Sequence, residues 1–257
     1  RLLGVDKLSI LAKRYGLGFK VLDKSYIDEK KGIVPSTKWK KQYLNQSWYL
    51  GETVITGIGQ GYIQTTPLQL CLMTAQIANG GYKIEPNIIY NDKIRYEEII
   101  KKIQNQNQSF LKNTDILKEQ EIKNYERMYR NPDNIKFILE SMYASTNEQY
   151  GTSFKSRHKE SEYIFAGKTG TSQVKRITER DRELDLDLSE IEYKNRDHAL
   201  YIAFAPYKDP RYAVSVLIEH GGSGSKTAAP IAKKIIKKVI DRHDKREIKR
   251  LSITGIV

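Results

Sequence analysis

The sequence predicts an α/β chain of the α+β type, an antiparallel sheet flanked by helices, and three stretches carry that expectation. His198 to Ala205 and Tyr212 to Glu219 are β-rich runs, joined as a hairpin by Pro206-Tyr207-Lys208-Asp209-Pro210. Beyond them, Ile231, Ala232, Ile235, Ile236, Val239 and Ile240 recur at helical spacing with lysines between, the pattern of a helix laid on a sheet. Upstream, Tyr163-Ile164-Phe165-Ala166 reads as a strand running into a turn at Gly167-Lys168-Thr169-Gly170-Thr171.

The other elements follow from the N-terminus. Val5, Leu8, Leu11, Ala12 and Tyr15 keep helical spacing, and Gly16 is a stop signal. Residues 16–50, punctuated by glycine, Pro35, Trp39 and Trp48, read as an irregular stretch pinned by aromatic rings. Gly57-Ile58-Gly59-Gln60-Gly61 is a tight glycine-rich turn. It is not a dinucleotide fingerprint, because Tyr62 stands where the third glycine must be. Thr66-Pro67-Leu68-Gln69 opens a helix: Thr66 caps it, Pro67 suits its first position and Gln69 completes a capping box. That helix is predicted to end at Asn79-Gly80-Gly81. Residues 91–130 read as a polar, partly helical insertion, and Asn131-Pro132-Asp133 introduces a helix from Ile135 to about Ala144. Residues 175–197, rich in both charge signs, form a long exposed connection.

At 257 residues the chain can bury one substantial core, and 39% hydrophobic residues suit a globular domain. It contains no run of about 18 apolar residues and no signal-peptide pattern. The single cysteine, Cys71, lies in an apolar helical run and is expected to be a buried structural thiol. The net charge of +13 divides into +7 over residues 1–50, +7 over residues 226–257 and −1 between them. Such a balance can serve nucleic acid or an anionic membrane surface. No RNA-recognition signature, zinc-ligand spacing or base-reading helix accompanies it, so we read solvated lysine faces and expect no nucleic-acid partner and no metal.

Lys168-Thr169-Gly170-Thr171 carries the chemistry. At a sheet edge, Gly170 lets an extended peptide approach the backbone, and edge N–H and C=O groups pair with it by strand addition. The hydroxyls of Thr169 and Thr171 can hold a terminal carboxylate, Lys168 sets a cation beside the reacting centre, and a backbone N–H after the glycine suits an oxyanion hole. Gly167-Lys168-Thr169 also matches the end of a P-loop, but Glu162 then takes the place of its first glycine.

Several separated segments add to this tetrapeptide: Arg14-Tyr15-Gly16-Leu17-Gly18, Trp48 to Val54, Gly57 to Tyr62, and Thr66 to Leu70. They continue with Gly167 to Val174, Phe204-Ala205-Pro206, Pro210 to Val214, Glu219 to Gly224, and Ala228 to Ala232. Together and in this order they resemble the transpeptidase domain of class B penicillin-binding proteins, closest to the elongation-type penicillin-binding protein 2. The resemblance implies the fold shared by these enzymes and the serine β-lactamases. It implies a D,D-transpeptidase that cross-links peptidoglycan stem peptides ending in D-Ala-D-Ala, needs no cofactor, and is acylated on serine by β-lactams. It further implies elongation-machinery partners and a place on the periplasmic face of the inner membrane. Carried over by position, Lys168 enters the catalytic proton and electrostatic network. Thr169, Gly170 and Thr171 bind substrate, with the Thr171 N–H in the oxyanion hole.

The family's nucleophile motif is Ser-x-x-Lys at the start of an apolar helix. The four such strings here, at Ser109, Ser156, Ser172 and Ser223, lie in a polar tract, a charged stretch, the Lys-Thr-Gly segment and a glycine turn. None fits, and Ser145-Thr146-Asn147 matches the family's Ser-x-Asn only as a string. We therefore expect residues 1–257 to be the C-terminal part of one transpeptidase domain. Its nucleophile, Ser-x-Asn group, two strands and membrane anchor would lie upstream, leaving the fragment inactive alone. The alternatives are a non-catalytic peptide- or partner-binding module of the cell-wall machinery, a β-lactamase or β-lactam sensor, and a basic surface for anionic polymers.

Overall fold

The computed structural model describes residues 2–22, 28–86, 88, 126–174 and 188–253. Helix α1 spans Val5–Arg14, as its spacing predicts. The stretch expected to be irregular contains two short helices, α2 (Thr37–Leu44) and α3 (Leu50–Gly57). Each has a side-chain cap: Ser36 Oγ accepts from the Trp39 N–H at 3.0 Å, and the Glu52 carboxylate accepts from the Tyr49 N–H at 2.8 Å. The aromatic pinning is real, and a lysine is at its centre. Lys40, only 1% exposed, bonds Glu52 while its ammonium lies 4.7 Å from the Tyr49 ring centre and 5.7 Å from that of Tyr62. Burial opposes the ammonium charge, but the bond and charge of Glu52 outweigh it and raise the lysine's pKa.

Helix α4 (Pro67–Ala78) has the predicted capping box, with Thr66 and Gln69 exchanging bonds of 3.0 and 3.2 Å, and Asn79 caps its end. Gln69 is also fully buried, and its amide donates to the carbonyls of Phe19 and Lys31 at 2.6 and 3.0 Å. A capping residue thus also ties the preceding loop to α4. Helix α5 (Pro132–Asn147) starts three residues before the predicted Ile135, because Asn131 Oδ1 caps it by accepting from the Asp133 N–H at 2.9 Å and Pro132 takes its first position, and it runs almost a turn beyond Ala144. Residues 91–125 of the expected insertion, and 175–187 of the expected connection, lie outside the described residues.

Strands β1 (Ala166–Ser172), β2 (His198–Ala205) and β3 (Tyr212–Ile218) form an antiparallel sheet in that order. The hairpin is where the sequence predicts it, but the first strand is shifted. Residues 161–163 form a 3₁₀ turn, and the Lys-Thr-Gly residues are strand interior rather than a turn. The cause lies in the backbone acceptors. The Ile164 carbonyl takes the Tyr207 N–H at 2.8 Å and the Phe165 carbonyl takes Asn147 Nδ2 at 2.9 Å, so neither joins the ladder.

Alternation along β2 builds two core layers. Ala199, Tyr201, Ala203 and Ala205 are fully buried and pack against Ala228, Ala229, Ala232, Ile236 and Ile240, the last four on helix α6 (Ala229–Ile253). This is the predicted helix on a sheet, drawn close by the alanines on both sides. On the opposite face, Ile202, Phe204 and Ala166 meet Ile77 and Ala78 of α4 and Leu139, Met142 and Tyr143 of α5. Cys71 is half-buried rather than buried. Its thiol donates to the Ala213 carbonyl of β3 at 3.4 Å, and desolvation pushes its pKa up. Among the described residues no helix is long and apolar enough to cross a membrane.

Candidate active site

Lys168, Thr169, Gly170 and Thr171 lie together on β1, which pairs with β2 on one side only among the described strands. Lys168 stands opposite Ile202, Thr169 opposite Tyr201, Gly170 opposite Leu200 and Thr171 opposite Ala199. Lys168 and Gly170 therefore belong to one face of the strand, Thr169 and Thr171 to the other. The Lys168 side chain is exposed and donates to the Thr169 carbonyl at 2.8 Å.

The Thr171 carbonyl accepts from Gln60 Nε2, in the glycine-rich turn after α3, at 2.8 Å. In an antiparallel strand the N–H and C=O of one residue point the same way, and the direction alternates from residue to residue. With its carbonyl engaged away from β2, Thr171 turns its N–H outward too, and Thr169 shares that direction. The open edge of β1 thus turns the N–H and C=O groups of Thr169 and Thr171 outward on either side of Gly170, with both carbonyls engaged by side-chain donors, Lys168 and Gln60. An extended peptide can pair with that edge.

Two close approaches fix the strand's position. The Tyr201 side chain passes over Gly167, where a Cβ would sit 2.4 Å from the Tyr201 oxygen, and bonds Thr146 Oγ1 and Ser153 Oγ at 2.9 Å each. From the turn before α6, Gly224 rests on the sheet backbone: a Cβ there would lie 2.4 Å from the Leu200 carbonyl and 2.6 Å from that of Gly170. A weaker chain of hydroxyls runs from Ser145 through Thr152 to Thr169, with steps of 3.2 and 3.3 Å. The string Ser145-Thr146-Asn147 therefore ties the end of α5 to the sheet by three routes: Ser145 through Thr152 to Thr169 of β1, Thr146 to Tyr201 of β2, and Asn147 to the Phe165 carbonyl just before β1. Neither Gln60 nor Thr152 is visible as a site residue in the sequence, because each acts through a reach of the folded chain.

Of the Ser-x-x-Lys serines, Ser109 lies outside the described residues. Ser156 is buried in a 3₁₀ turn, Ser172 ends β1, and Ser223 shares a 3.0 Å bond with Ser225 beside the Gly224 contact. Ser156 and Ser172 open no α-helix, and Ser223 precedes the π-helical turn Gly224–Ala228 that leads into α6. Among the described residues no group of three or more His, Cys, Asp or Glu is placed to hold a metal ion.

The chain is 32% identical over 240 residues to the peptidoglycan D,D-transpeptidase MrdA of Salmonella typhimurium, covering 93% of this chain and 35% of that protein. The Haemophilus influenzae protein of the same name is 29% identical over 244 residues, covering 91% of this chain and 32% of its own length. The chain thus spans about a third of the curated relatives it matches. Among solved structures, penicillin-binding protein 2 of Helicobacter pylori, in complex with MreC, has a TM-score of 0.69 at 29% identity, over 93% of this chain and 36% of that one. The Pseudomonas aeruginosa PBP2 in complex with WCK 5153 has a TM-score of 0.65 at 32% identity, over 92% and 44%. Residues 1–237 match the family described as the penicillin binding protein transpeptidase domain, and the chain belongs to it.

Proposed function

We propose that the chain forms one wall of the active site of a peptidoglycan D,D-transpeptidase of the elongation type. The observation that supports this best is the open edge of β1, where the backbone of Thr171 faces outward beside the exposed Lys168. A stem peptide ending in D-Ala-D-Ala binds along that edge as an added strand. Thr169 and Thr171 hold its terminal carboxylate, and the Thr171 N–H donates to the oxyanion as a serine oxygen adds to the scissile carbonyl. D-alanine leaves with the electron pair of the broken amide and a proton, giving an acyl-enzyme. The amine of a second stem peptide then attacks the ester and returns the serine. Lys168, whose ammonium lies on the same edge, stabilises the charge that develops.

We assign the serine to a segment outside these residues, because the three described Ser-x-x-Lys serines have other settings. The same reading puts the protein on the periplasmic face of the inner membrane, anchored by a segment outside this chain. Its partners there are cell-wall elongation proteins, as the MreC complex of the H. pylori protein suggests. β-Lactams imitate the peptide and acylate the same serine. The test is labelling with a fluorescent penicillin. The full-length protein should label, Lys168→Ala should lose at least about tenfold in labelling rate, and residues 1–257 alone should not label. An unlabelled full-length protein refutes the function, and a labelled serine within these residues refutes the assignment of the nucleophile.

A further inference from the structure

We infer that Gln60 is a specificity-determining residue of this site: its side-chain amide occupies the Thr171 carbonyl until a ligand brings an amide N–H of its own. This deepens the function proposed above and rests on it. The outward carbonyls of β1 are not idle. Thr169 receives its neighbour Lys168 at 2.8 Å, and Thr171 receives Gln60 Nε2 at 2.8 Å from a residue 111 positions away in sequence. An extended peptide that pairs across Gly170 needs the Thr171 carbonyl as an acceptor for its own N–H, so peptide and Gln60 compete for one oxygen.

The backbone beneath Gln60 stays in place while they compete. Its N–H is tied to the Ile55 carbonyl at 3.1 Å and the preceding Gly59 N–H to that of Thr56 at 3.0 Å, both at the end of α3. Helix α3 is anchored in turn by the Lys40–Glu52 pair among its aromatic rings. Departure therefore needs only side-chain torsions, and Gln60 is half-buried, with water at hand for the released amide. A ligand with a suitably placed N–H exchanges one neutral bond for another. A ligand without one leaves Gln60 where it is and gains nothing from the carbonyl. Gln60 thus lowers affinity for amide-bearing ligands by the worth of its own bond, which for a neutral pair is a factor of about two to ten.

The experiment is the second-order acylation rate of the full-length protein with two β-lactams, one carrying an acylamino side chain and one with no amide N–H at that position. Gln60→Ala and Gln60→Met are compared with the wild type, the methionine keeping length without a donor. Both variants should raise the rate with the acylamino compound about two to ten times relative to the rate with the other compound. Equal changes for the two compounds indicate general loosening of the loop and overturn the inference, as does an unchanged or lower relative rate with the acylamino compound. A wild-type protein that neither compound acylates removes the transpeptidase reading and this inference together. An acylated wild type with unresponsive variants removes this inference alone.

Discussion

Replacing Gly167 by alanine tests how β1 is held. The new Cβ would lie 2.4 Å from the Tyr201 oxygen and 2.6 Å from Cζ, with the Ile202 carbonyl at 2.7 Å. The rigid phenol ring has to move, since the carbonyl belongs to the paired strand. Moving it breaks the bonds from Tyr201 to Thr146 and Ser153, each 2.9 Å and fully buried. Two neutral hydrogen bonds are worth about 1–3 kcal/mol together. Overpacking a buried site adds about 1–3 kcal/mol, so Gly167→Ala should cost about 2–6 kcal/mol. Tyr201→Phe loses the same bonds without the crowding and should cost about 1–3 kcal/mol. The double variant loses those bonds once, so its cost should fall below the sum of the singles by about 1–3 kcal/mol. Urea unfolding followed by far-ultraviolet circular dichroism measures all three. Strict additivity, or a loss below about 1 kcal/mol for Gly167→Ala, refutes the idea that the tyrosine crossing positions the strand.

Two other outcomes follow from the same framework. Gly224→Ala drives a Cβ into the carbonyls of Leu200 and Gly170, so it should slow β-lactam acylation of the full-length protein at least about tenfold while leaving its folded circular dichroism spectrum in place. His158 is buried against α6, its Nε2 3.2 Å from the Lys233 carbonyl and its Nδ1 3.7 Å from Glu160. Desolvation, helped by the charges of Lys233 and Lys237 and opposed by the Lys233 carbonyl and Glu160, lowers its pKa. Below about pH 6.5 the unfolded chain then binds more protons at this site than the folded one, so stability falls as pH drops from there toward the lower folded value. His158→Gln should flatten that part of a stability–pH curve measured by thermal melting, and an unchanged slope counts against it.

The sequence made legible whatever depends on a local pattern. The hairpin of β2 and β3, the Thr66 capping box and the apolar face of α6 are each written within a few residues. Helix α2 was hidden because its buried position is a lysine, which a pattern reading assigns to solvent and the fold neutralises with Glu52. The start of β1 was misplaced because Tyr163, Ile164 and Phe165 are good strand formers whose carbonyls are claimed by a distant helix end and by a turn. The tetrapeptide Lys168-Thr169-Gly170-Thr171 stands out in the sequence from residue type alone, and the structure places it on a strand edge. Gln60 does not stand out, since what matters is the atom that its amide reaches. The polar tract at 91–125 lies outside the described residues.

The donors along β1 also bear on solubility. A strand edge with unsatisfied carbonyls is a template on which a second copy of the chain can add, and repeated addition builds aggregates. Here the two outward acceptors flanking Gly170 are already met by Lys168 and Gln60. A newcomer must displace an amide and a charged amine in succession, and must bring a backbone that tolerates a lysine beside it. An edge guarded in this way is a poor seed for sheet-to-sheet polymerisation.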